Sequence, residues 1–99
     1  METSFNKGMR EYQNTRDAIL LDVRDEEEYR SGHVPGSKNI PVYQLDKAIA
    51  CINKKSTPIF VYCQSGSRSY QAVDILRRMG YRNVKSLGAI TSYAGRLER

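Results

Sequence analysis

The chain has 99 residues, with 39% apolar and 27% charged residues and a formal charge of +5, the proportions of a globular protein with one core and no room for a second domain. At this length folding buries roughly two thirds of the surface the unfolded chain exposes, so neither a disulfide framework nor a structural metal is required. The first twenty-odd residues hold no apolar stretch longer than Ala18-Ile19-Leu20-Leu21, which excludes an export signal or membrane span as a reading and makes the cytoplasm the expected location.

Residues 1 to 17 are polar, and Phe5, Met9 and Tyr12 are spaced three and four apart, predicting a short amphipathic helix lying on the core. Ala18 to Val23 is a continuous apolar run, short enough for a strand covered on both faces as in a parallel sheet. Asp25 with Glu28 three positions on has the pattern of a helix cap, so a brief helix to about Arg30 is expected, stopped by Gly32. His33-Val34-Pro35-Gly36 is a turn, because Pro35 fixes its own backbone and drives Val34 out of helical geometry. Ser37 to Ile40 enters a short strand. After Pro41, the spacing of Leu45, Ala48, Ile49 and Ile52 predicts a helix with one face inward. Pro58 to Cys63 is the strongest strand signal in the chain, rich in branched and aromatic residues. From Ser69, the residues Ala72, Val73, Ile75, Leu76 and Met79 predict a helix that stops at Gly80. Val84 to Leu87 is a last short strand, followed by a tail carrying Ile90, Tyr93 and Leu97. Strands alternating with helices imply an α/β domain spanning 1–99, with a mainly parallel sheet and helices on both faces.

The charge is unevenly placed. Residues 1 to 67 hold nine basic and nine acidic groups, whereas 68 to 99 hold seven basic and two acidic. Such an excess draws anions, but the arginines and lysines are scattered and lack interleaved aromatic platforms, so a solvated basic face is expected rather than a nucleic-acid surface. Two cysteines, Cys51 and Cys63, make neither a disulfide framework nor a zinc site. Cys51, within Ala48-Ile49-Ala50-Cys51-Ile52, reads as helix packing.

Cys63 is different. Ligands of open parallel α/β sheets gather at the carboxyl ends of the strands, and Cys63 closes the best strand directly before the best helix. Between them Gln64-Ser65-Gly66-Ser67-Arg68 is small, polar and centred on a glycine, able to curl so that successive N–H groups form an anion nest that joins the helix N-terminus. A cysteine inside such a nest and beside Arg68 is favoured as thiolate, the nucleophilic form. The competing possibility is a buried strand-end cysteine. A purely structural cysteine, however, does not require a glycine and an arginine at these offsets.

The ordered segments Leu20-Leu21-Asp22-Val23-Arg24, Glu28-Tyr29, Gly32-His33-Val34-Pro35-Gly36-Ser37, Asn39-Ile40-Pro41 and Cys63-Gln64-Ser65-Gly66-Ser67-Arg68-Ser69 together resemble the rhodanese, or sulfurtransferase, family over about residues 18 to 88. The resemblance implies a rhodanese fold with a parallel sheet of about five strands, and sulfur transfer through a persulfide on Cys63. Its site is the loop Gln64, Ser65, Gly66, Ser67, Arg68 and Ser69, with Asp22, Arg24 and His33 in supporting, structural roles; no metal or other cofactor is implied. The late tryptophan common in the family is replaced here by Tyr93.

In phosphatases of related architecture five residues separate the cysteine from the arginine, giving a cradle for a tetrahedral oxyanion. Here four intervene, and Ser69 stands where that arginine would be. The tighter ring suits a terminal sulfur atom. On this reading Cys63 attacks the sulfane sulfur of thiosulfate or a persulfide, a thiol or cyanide-type acceptor collects it, and the loop amides hold the anionic persulfide between the two steps. Arg68 is expected both to meet the anionic end of the donor and to brace the loop through backbone contacts. A protein sulfur donor or redox partner is compatible with this scheme. Gln64, Ser65 and Ser67 make the loop less cationic than in thiosulfate-preferring members. Two alternatives stay open: arsenate reductase or phosphatase chemistry, and a non-catalytic binding module. Tyr43 and Tyr70 are either pocket lining or ordinary packing.

Overall fold

The computed structural model describes residues 3–99. Four parallel strands, β1 (Ile19–Asp22), β2 (Lys38–Asn39), β3 (Ile59–Cys63) and β4 (Val84–Ala89), form one sheet in the order β2-β1-β3-β4. The resemblance implies about five strands and the described residues form four; the described chain opens on a helix, as its apolar spacing predicts. Thr3 caps α1 (Ser4–Gln13) by accepting the Asn6 N–H, and Phe5 and Met9 are buried beneath it, the outcome the spacing predicts.

Helices cover both faces of the sheet. On one side α1 joins Leu20, Val34, Phe60, Tyr62, Leu87 and Ile90 in a core against which Tyr12 and Tyr93 also pack. Tyr93, half-buried, lies tilted against Phe5, ring centroids 5.7 Å apart. On the other side α4 (Ser67–Arg78) presses Ala72 and Leu76 onto Leu21, Val61 and Cys63. Every residue of β3 is buried, which accounts for its unbroken apolar sequence.

The segment after Pro41 departs from its predicted helix. Val42–Lys47 is a 3-10 helix kinked at Gln44, and only Ala48–Cys51, here α3, is α-helical. Three residues per turn in place of 3.6 rotate the inward face, so Leu45, Ala48 and Ile52 are buried while Ile49 is 55% exposed. Cys51 is likewise exposed, which corrects its reading as helix packing. α2 (Glu26–Ser31) carries the expected capping box between Asp25 and Glu28.

The strands run in parallel, so the ends of β1, β2 and β3 place Asp22, Asn39 and Cys63 along one edge of the sheet. No described helix is long and apolar enough to cross a membrane.

Candidate active site

At the end of β3, the chain turns through Gln64 to Gly66 and enters α4. Gly66 has φ +106°, a conformation costly for any residue with a Cβ. This turn points two backbone donors at the cysteine: the Gly66 N–H lies 2.9 Å and the Ser69 N–H 3.3 Å from Cys63 Sγ. The 12-residue α4 starts here, so its unpaired amides and dipole reinforce the same polarity. Cys63 and Ser69 are fully buried and Gly66 is buried, whereas Gln64, Ser65 and Ser67 form the exposed rim.

Ser69 stitches the loop. Its hydroxyl donates to the Gly66 carbonyl at 2.7 Å, leaving its oxygen to accept from Ser86 at 2.9 Å. Ser86 in turn accepts the Gly88 N–H at 3.1 Å. The geometry arises from a bulge in β4: Val61 pairs with Ser86 but Tyr62 pairs with Gly88, so Leu87 is the extra residue and the neighbouring side chain is re-aimed. Ser86 lay in an ordinary strand pattern, and nothing in the sequence marked it. Replacing Ser86 with alanine is expected to cost about 1 kcal/mol and change the rate at which an alkylating probe reacts with the Cys63 thiol about fivefold, with Ser86→Thr restoring the wild-type rate. Equal reactivity in Ser86→Ala and wild type would show that Ser69 holds the loop alone.

Asp22 and Arg24 form a buried ion pair. Both are buried, with Arg24 Nη2 2.6 Å from Asp22 Oδ2 and Arg24 Nε 3.0 Å from each Asp22 carboxylate oxygen. Arg24 also donates to the Gly32 carbonyl at 2.7 Å and to Gln64 Oε1 at 3.3 Å, tying the turn after α2 to the rim of the cysteine loop. His33 Nδ1 meets the Tyr29 carbonyl at 2.9 Å, its ring stacks on Tyr29, and its backbone bridges to Glu98. Tyr62, buried beside Asp22, has its hydroxyl pushed up by burial and stays protonated, accepting the Val34 N–H. Tyr43 and Tyr70 are each 69% exposed, which excludes packing for both; Tyr43 lines a recess with Asp25, Glu26, Glu27 and Arg30.

Arg68 corrects the expected contacts of the loop. Its guanidinium meets the Glu28 carboxylate with two hydrogen bonds, of 2.6 and 3.0 Å. The brace therefore runs through a side chain on α2 rather than through the loop backbone. Glu28 was legible as a cap, and it does accept the Asp25 N–H at 3.0 Å; its second role was hidden because the two residues are 40 positions apart. The hydrogen bonds from Arg68, opposed by burial and aided by the Asp25 N–H, hold the Glu28 carboxyl below its ordinary value of 4.5. A carboxyl depressed on folding stabilises above its unfolded value and loses that contribution as pH falls through the folded one. The difference in thermal stability between wild type and Glu28→Gln is thus expected to be complete at neutral pH and to close only in acid below 4.5. A gap unchanged in acid would contradict the pairing.

Comparisons with known proteins agree with this geometry. Residues 6–95 match the family model of the rhodanese-like domain. The chain is 39% identical over 75 residues to the thiosulfate sulfurtransferase PspE of Escherichia coli, an alignment covering 75% of this chain and 72% of that protein. Among solved structures it is similar to a rhodanese with anions from E. coli, with a TM-score of 0.77, 32% identity and coverage of 83% of this chain and 98% of the other. It also resembles the human single-domain sulfurtransferase TSTD1, with a TM-score of 0.76, 30% identity and coverage of 88% and 89%. Strand order, a cysteine cradled by amides at the end of β3 and a match over most of the sequence converge, and the chain belongs to the rhodanese-like domain family.

Proposed function

We propose that this protein is a rhodanese-type sulfurtransferase that moves a sulfane sulfur from thiosulfate or a persulfide to a thiol or cyanide-type acceptor through a persulfide on Cys63. The observation that carries this reading is the pair of amides from Gly66 and Ser69 aimed at Cys63 Sγ. Donors fixed in place before reaction stabilise the anionic sulfur without reorganising, and a persulfide keeps its charge on the outer sulfur, inside the nest.

In the first step the Cys63 thiolate attacks the outer sulfur of the donor, a sulfur–sulfur bond forms at Cys63, and the donor's own bond breaks with its electron pair leaving on sulfite or a thiolate. In the second, the acceptor attacks the outer sulfur of the persulfide and Cys63 leaves as thiolate. Ser69 shapes the loop, and Asp22 and Arg24 fix the turn above it. The name of the E. coli relative supports thiosulfate as one donor.

The loop argues against oxyanion chemistry. Only four residues separate Cys63 from Arg68, and Arg68 is turned to Glu28 rather than inward. The arginine position of a phosphatase loop is filled by the short Ser69, whose hydroxyl is engaged by Gly66 and Ser86. A buried thiol under so tight a loop is reached more easily by a slender terminal sulfur than by a tetrahedral oxyanion. Both cysteines are free, which suits a cytoplasmic setting and leaves Cys63 open to a protein sulfur donor or a redox partner.

Turnover with thiosulfate or a small persulfide as donor and cyanide as acceptor tests the reading, with arsenate and an aryl phosphate run in parallel. Thiocyanate production is expected with no oxyanion turnover. The reverse pattern would favour the oxyanion enzyme, and an inert thiol the binding module.

A further inference from the structure

We propose that Glu28 sets the donor specificity of the site by withholding the charge of Arg68, so that Cys63 is loaded from persulfides with uncharged tails in preference to the thiosulfate dianion. The inference rests on the reading of Cys63 as a sulfur-accepting nucleophile and adds which donors it takes.

Side-chain charge around the loop is matched and then exceeded by acid. Arg24 is neutralised by Asp22 in a buried pair, and Arg68 by Glu28 through a two-pronged contact. Asp25 lies close enough to act on Arg68 as well, leaving an excess of negative charge. The start of α2, the helix that carries Glu28, lines a polar recess of about 450 Å³ with Asp25, Glu26, Glu27, Arg30 and Tyr43. Four of the basic residues in the last third of the chain are remote from Cys63. Arg77 and Arg78 end α4, and Arg82 and Lys85 lie at the start of β4, at the opposite end of the sheet from Cys63. Beside the paired Arg24 and Arg68, positive polarity at Cys63 comes from backbone: the Gly66 and Ser69 amides, which reach Sγ, and the α4 N-terminus.

A donor is therefore held at its reacting sulfur but meets acid at its far end. With an alkyl persulfide R–S–SH, the Cys63 thiolate bonds to the outer sulfur, the donor's S–S bond breaks, and the electron pair leaves with R–S. The departing sulfur takes the proton, giving R–SH and an anionic Cys63 persulfide on the two amides. Thiosulfate requires the same attack to expel sulfite, whose developing charge lies where Arg68 would have to meet it. Repulsion across a partly wet site of this size is worth about a factor of ten in rate per unit charge.

The test measures the second-order rate of Cys63 loading by thiosulfate and by hydroxyethyl persulfide in wild type, Glu28→Gln and Glu28→Asp. Glutamine keeps an acceptor for Asp25 and Arg68 but removes the charge, whereas aspartate keeps the charge. The thiosulfate-to-persulfide ratio is expected to rise about tenfold in Glu28→Gln and to stay near the wild-type ratio in Glu28→Asp. An unchanged or lower ratio in Glu28→Gln, with both donors still loading Cys63, overturns the proposal. Failure of both donors in wild type would instead overturn the sulfurtransferase reading. Should the variants not fold, wild type is compared across persulfides with hydroxyl, carboxylate and sulfonate tails. Loading is expected to be slower with either charged tail than with the hydroxyl tail, and loading that holds or rises with both overturns the proposal.

Discussion

Cys63→Ser is expected to abolish sulfur loading and to lower turnover by on the order of 10³ or more, because the hydroxyl takes the place of the nucleophile without its reactivity. The fold is expected to survive, since the introduced hydroxyl oxygen would still accept the Gly66 and Ser69 amides that now reach Sγ. Cys63→Ala supplies the contrast. It leaves both buried amides without an acceptor, at a cost of about 1–3 kcal/mol for each group left unsatisfied. The pair of variants thus separates chemistry from architecture: serine loses activity and keeps stability, and alanine loses both. Assays of thiocyanate production beside thermal unfolding decide it. Retained turnover in Cys63→Ser would mean that another group carries the sulfur.

The second large effect concerns stability. Asp22 is completely buried and receives the Arg24 backbone N–H, Nε and Nη2. Asp22→Ala removes the countercharge and leaves a buried guanidinium, a change that costs about 3–5 kcal/mol. In a domain of this size each kcal/mol moves the melting temperature by about 4–8 °C, so a fall above about 10 °C is expected. Replacing the pair together, Asp22→Leu with Arg24→Met, is expected to cost less than Asp22→Ala alone, because no charge is then stranded. Calorimetry on the single and paired variants checks both statements. A loss below about 1 kcal/mol for Asp22→Ala would show that water reaches Arg24 and that the pair is not sealed.

The strands and the long helix were readable because burial leaves a period in the sequence. β3 is covered on both faces and reads as Ile59-Phe60-Val61-Tyr62-Cys63, and α4 turns Ala72 and Leu76 inward at helical spacing. The segment after Pro41 misled because a 3-10 turn and an α-turn share the spacing of three; Leu45 and Ala48 fit both, and only the exposure of Ile49 and Cys51 distinguishes them. At the site, Cys63 and Gly66 were marked by position and turn chemistry, since a strand must end and a glycine must supply the positive φ. Glu28 was marked as a cap and within the Glu28-Tyr29 segment but not as a partner of the loop, and Ser86 carried no mark. Each acts on the loop across a long sequence separation, through a salt bridge and a hydroxyl contact that exist only once α2 and β4 are packed beside it.

The Cys63 persulfide is tested most directly by intact mass after incubation with thiosulfate or a small persulfide, wild type beside Cys63→Ser. A gain of one sulfur atom, about 32 Da, removable by cyanide or reductant and absent from Cys63→Ser, is the expected result. No gain with either donor while the Cys63 thiol remains free, or an equal gain in Cys63→Ser, would contradict it.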